Sequence, residues 1–128
     1  MCLSKISEEI LNNTEFEVYK VVRVINYDYY SPFFLKHIIL SNVCESELIP
    51  RFDSILNEQV INIGIHSFIN IGDAELFKNH LFERSGDKYT ILKCIIPVNT
   101  RYYSGVFRFN IFNFNCVTSN KIIYLNEL

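Results

Sequence analysis

The stretch "GIHSFINIGDAELFKNHLFERSGDKYTILKCIIPV", residues 64–98, decides the fold class. Its middle, "NIGDAELFKNHLFER" (70–84), places Ala74, Phe77 and Leu81 at the i, i+3, i+7 spacing of one helical face. Asp73 stands near its start as an N-cap or as a first-turn acid. "SGD" (85–87) is a turn, and "KYTILKCIIPV" (88–98) runs apolar and β-rich until Pro97 ends it. On the other side, "QVINIG" (59–64) reads as a short strand that "IHSFI" continues past Gly64. One helix therefore stands between strands.

Further out, "FEVYKVVRVI" (16–25) alternates and is β-branched, a strand that exposes Lys20 and Arg23. "NYDYYSP" (26–32) is a turn, and "FFLKHIIL" (33–40) a second apolar strand. The charges and Pro50 of segment 41–58 read as a loop with a short helix. "YYSGVFRFNIFNF" (102–114) reads as one strand, and "SNKIIYL" (119–125) closes the sheet. "SKISEEILNN" (4–13) starts like a short helix, with Ser4 and Ser7 as caps, glutamates in the first turn, and Asn12 and Asn13 as its stop. Strict βαβ alternation and a Gly-rich phosphate loop are both absent from the sequence. The expected architecture is α+β: a single domain over 1–128, a mostly antiparallel sheet, one main helix and a short N-terminal helix.

A chain of 128 residues supports one core and not two. Hydrophobic residues at 49% make that core sizeable. The net charge of −2 and scattered Lys and Arg offer no basic stripe, so nucleic acid is not an expected partner. No apolar run reaches the roughly 18 residues of a membrane span. Cys2, Cys44, Cys94 and Cys116 lack C-x-x-C spacing, so neither a zinc site nor any other metal or cofactor is expected. The polar, acidic N-terminus lacks a secretory pattern, so a cytoplasmic chain with reduced thiols is expected.

Polar and ring residues concentrate beside strands at Arg23, at Gly64–Phe68, at Arg101–Gly105 and at Ser119–Asn120. Arg23 is either a surface strand residue or an anion clamp, because a guanidinium forks onto phosphate. His66 is either a half-buried histidine bonded to a backbone carbonyl or a ligand contact or acid–base group. Ser67 should point away from it on a regular strand. Tyr102 and Tyr103 face opposite sides, so only one can stack in a given cleft. Cys2 would be an N-terminal nucleophile after loss of Met1, but no partner residue is visible for it. No acid–base dyad follows from spacing, and no catalytic residue is assigned.

Residues 16–125 resemble a group of small uncharacterised proteins from bacteriophages and gut bacteria. The likeness lies in "MCL", "VYKVVR", "YYSPF", "GIHSF", a helix with Ala74, "ILKCIIP", "RYYSG" and "TSNKIIYL". The sequence is also similar, more faintly, to the ADP-ribosyltransferase-like fold. That resemblance puts Arg23 at the first-strand dinucleotide position, and His66 and Ser67 in the second-strand motif. The family's late-strand catalytic glutamate has no counterpart, because that strand reads "TSNKIIYL". The resemblance thus implies nucleotide binding more than transfer chemistry.

The leading expectation is non-enzymatic binding of a nucleotide-like ligand. Under the phage resemblance this would sequester a host nucleotide immune signal. Phosphates would meet Arg23 or Arg101, a ring would stack near Tyr102 or Tyr103, and His66 and Ser67 would line the site. An ADP-ribosyl-transferring or nucleotide-cleaving enzyme is one alternative, and a protein interaction module the other. A cleft joining Arg23 to His66 would favour the first two readings. Self-association stays open.

Overall fold

A computed structural model describes residues 2–32 and 36–128. Among the described residues the chain forms one 13-stranded sheet and one helix. The N-terminal segment gives β1 (Leu3–Ser4) and β2 (Ile10–Leu11), followed by the long β3 (Phe16–Ile25). Three short strands come next: β4 (Asp28–Tyr30), β5 (His37–Ile38) and β6 (Val43–Glu45). β7 (Ile49–Asp53) and β8 (Glu58–Ile63) make a hairpin. β9 (Ile65–Phe68) leads into α1 (Ile71–Ser85). β10 (Tyr89–Ile96), β11 (Arg101–Phe109), β12 (Phe112–Ser119) and β13 (Lys121–Glu127) complete the chain. The pairings are antiparallel, in the spatial order β6-β13-β10-β3-β9-β12-β11-β1-β8-β7.

The central strands are buried on both faces. On β3, Val21 joins a core under the helix, while Val18 and Val22 join a second core on the opposite face, so the sheet carries two cores, one on each face, where chain length suggests one. The first core is ring-rich. Phe77 of α1 sits 5.4 Å from both Phe68 and Phe107 and 6.1 Å from Phe114, centroid to centroid. Ala74, Phe77 and Leu81 are the buried residues of α1, the face that the periodicity predicts. Asn70 occupies the N-cap without a side-chain bond, and Asp73 lies in the first turn. Gly86 ends the helix at φ +72°, where its N–H reaches the Phe82 carbonyl at 2.8 Å.

The expected N-terminal helix does not form. Residues 3–12 run along β11, which satisfies their backbone: Ser7 N–H donates to the Ser104 carbonyl and Asn12 N–H to the Thr100 carbonyl, each at 2.8 Å. Leu3 is fully buried between β8 and β11, so long-range burial overrides local helix propensity. Segment 41–58 holds no helix either. Asp53 accepts from the N–H groups of Ile55 and Leu56 at 2.9 and 3.1 Å, an Asx turn that closes the β7–β8 hairpin. The expected single strand 102–114 is two strands, folded back at Asn110, which takes φ +55° so that Phe109 pairs with Phe112. Of the expected strand 33–40, His37–Ile38 is extended as β5, and residues 33–35 lie outside the described residues.

Candidate functional site

β3 and β9 meet at a single register pair, Tyr19 with Phe68. The His66 carbonyl, two residues before Phe68, is reached by a side chain and not by the β3 backbone: Lys20 Nζ donates to it at 2.8 Å. A cavity of about 250 Å³ opens between these strands. Val21, Ile65, Phe68, Phe77 and Tyr124 give it apolar walls, and Lys20 and His66 line its depth. The exposed Lys36 and His37 stand at its rim, with Ser31 and Ser46 half-buried beside them. Among the described residues the lining holds these two lysines and two histidines and no carboxylate. Asp28 lies 3.8 Å from His37 Nε2 and outside the lining.

Lys20 dominates the electrostatics. Among the described residues no carboxylate pairs with it. By area it is only half-buried, because part of its surface faces the cavity, yet protein surrounds the ammonium. That desolvation lowers its pKa below 10.5; the neighbouring thiols of Cys94, Cys44 and Cys116 oppose the shift. His66 is pushed down to about 3, first by burial and then by the Lys20 charge. Its ring is therefore neutral, and its bonds fix the tautomer. Nε2 lies 3.2 Å from the Asn62 carbonyl, which can only accept, so Nε2 carries the proton. Nδ1 then accepts from Thr118 Oγ1 at 2.7 Å. Both nitrogens are occupied, which disfavours acid–base work.

Gly64 holds this corner open. Its φ of +151° is one that L side chains rarely adopt. A Cβ there would overlap the Thr118 methyl and come within 2.9 Å of Leu48 Cδ1. Thr118 is the residue that donates to His66. Gly64→Ala is therefore expected to lower stability by about 1–3 kcal/mol, read from the urea midpoint at neutral pH. An unchanged midpoint would show that the corner relaxes freely.

Of the expected ligand-binding residues Arg23, His66, Ser67, Arg101, Tyr102 and Tyr103, His66 alone lines this cavity. Ser67 is fully buried, and among the described residues its hydroxyl has no hydrogen-bond partner. Alternation along β9 puts it with Ile65, on the side opposite His66 and Phe68. Arg23 pairs with Asp87 at 2.6 Å just beyond α1, so no cleft joins it to His66. Arg101 lies 3.7 Å from Glu9, and Tyr103 hydroxyl donates to the same carboxylate at 3.1 Å. Tyr102 faces the other way and packs on Phe16, 5.3 Å between centroids. The structure thus gathers Arg101 and Tyr103 at Glu9 and leaves Arg23, Ser67 and Tyr102 apart from them.

Sequence reading misses Lys20, Asn62, Cys44 and Tyr124. Lys20 reads as an exposed strand residue, but it lies against the cavity. The available signal is a lysine inside the apolar run "VYKVV", which is costly unless it has a role. No family model, curated protein or solved structure matches this chain.

Proposed function

We propose that the protein binds a small anionic ligand of the nucleotide class in the cavity between β3 and β9, without turning it over. The observation that carries this reading is Lys20, a cation enclosed by protein with no carboxylate partner among the described residues. A phosphate would supply the missing countercharge where water cannot screen it. Lys36 at the rim draws an anion inward, and Phe68, Phe77 and Tyr124 offer apolar surface to a ring. The volume of about 250 Å³ sits just below the roughly 300–1,000 Å³ usual for ligand pockets. It suits a mononucleotide that reaches out through the mouth, and not an enclosed dinucleotide. The doubly bonded, neutral His66 supports binding over hydrolysis, and sequestration of a nucleotide signal fits a site of this kind.

Calorimetric titration with adenosine monophosphate and with inorganic phosphate tests this. Lys20→Met should weaken adenosine monophosphate binding at least about tenfold. It should also raise the melting temperature of the ligand-free protein, because an uncompensated cation is replaced by an apolar chain. Arg23→Gln and Arg101→Gln should bind as the unmodified protein does. Loss of binding in those two variants, with Lys20→Met unaffected, would move the site elsewhere.

A further inference from the structure

We propose that Lys20 captures small anionic aldehydes and ketones covalently, as an imine formed inside the cavity. The inference rests on the reading of this cavity as the ligand site. Lys20 Nζ spends one N–H on the His66 carbonyl at 2.8 Å. An unprotonated amine can keep that bond and still offer its lone pair, because the carbonyl needs only a donor. The titratable groups that act on Lys20 are Cys94 on β10, Cys44 on β6, Cys116 on β12, Lys36 at the rim and the neutral His66 on β9. None is a carboxylate; the thiols oppose the shift, but burial outweighs them and moves Lys20 of the ligand-free protein toward the free amine, whereas a bound anion would favour the ammonium.

The chemistry balances within the cavity. The Nζ lone pair attacks the carbonyl carbon and forms the C–N bond. The carbonyl oxygen takes up protons and leaves as water, while nitrogen gives up its own protons to form C=N. Apolar walls at Val21, Ile65, Phe68 and Phe77 keep bulk water from driving the reverse step. The rim cation Lys36 explains the preference for a carbonyl compound that also carries a carboxylate or phosphate.

The test uses glyoxylate with borohydride, which reduces the imine to a stable carboxymethyl-lysine located by peptide mass mapping. At neutral pH, Lys20 should be labelled at least about tenfold faster than the exposed Lys36 and Lys5. Lys20→Arg should lose that label, since arginine forms no such imine. Labelling of Lys36 and Lys5 with Lys20 untouched in the folded wild-type protein overturns the inference, whether or not the variants fold. Labelling at Lys20 without adenosine monophosphate binding removes the anion-binding reading alone. Binding without labelling removes the imine alone.

Discussion

Acidification from pH 6.5 toward 3 is expected to cost the fold up to about 5 kcal/mol through His66 alone. Burial and the Lys20 charge hold the folded pKa at about 3, against 6.5 for an ordinary histidine. The unfolded chain therefore takes a proton on His66 near pH 6.5, while the folded chain refuses it until about pH 3. Each pH unit across that window is worth about 1.4 kcal/mol. Stability should be flat with respect to His66 above pH 6.5 and fall steadily below it. A loss of that size is comparable to the whole stability of a small domain, about 5–15 kcal/mol. Lys20 acts in the same direction at the alkaline end. Its folded pKa is depressed, so the fold gains stability as pH rises through that value toward 10.5. Urea unfolding at a series of pH values checks the acid limb. His66→Gln should flatten it while lowering stability at neutral pH, because the bonds to Asn62 and Thr118 are disturbed. An acid limb of equal slope in that variant would assign the sensitivity to other groups.

Phe77→Ala is expected to lower stability by about 3–5 kcal/mol, the largest effect of any single truncation in α1. Phe77 is fully buried, and its ring centroid lies 5.4 Å from those of Phe68 and Phe107, 5.1 Å from Phe109 and 6.1 Å from Phe114. It also lines the cavity, so its loss would enlarge a space that is already open and leave little to collapse into it. Phe82, on the same helix but 57% exposed, provides the control. Phe82→Ala should stay within about 0.5 kcal/mol of the unmodified protein. Equal losses in the two variants would mean that helix propensity, and not the ring cluster, holds α1 in place.

The parts of the fold legible in the sequence are those in which local pattern and tertiary burial agree. β3 runs from Phe16 to Ile25 as its alternation predicts, and α1 buries the Ala74, Phe77, Leu81 stripe. Where the two conflict, burial wins: residues 4–13 carry helix caps, yet Leu3 and the backbone partners on β11 hold them extended. The hairpins at Asp53 and Asn110 turn on single side-chain or backbone preferences without a glycine, so they leave little trace in hydropathy. The candidate site was half legible. Gly64 beside His66 marks a close approach of chains, and the clash at Thr118 accounts for it. Lys20 was not legible as a cavity residue, because β3 alone does not show that β9 touches it at one register pair and then leaves the His66 carbonyl to the lysine.

In the proposed function, a nucleotide-sized anion enters between β3 and β9 and meets Lys20. Titration of isotopically labelled protein with adenosine monophosphate, followed by amide and lysine-ammonium NMR shifts, tests it residue by residue. The expected result is saturable shifts centred on Lys20, His66, Phe68 and Tyr124, all of which line the cavity, with the Lys20 ammonium moved most. Shifts centred instead on Arg23 and Asp87, or on Arg101 and Glu9, would contradict it, as would a spectrum unchanged at millimolar ligand.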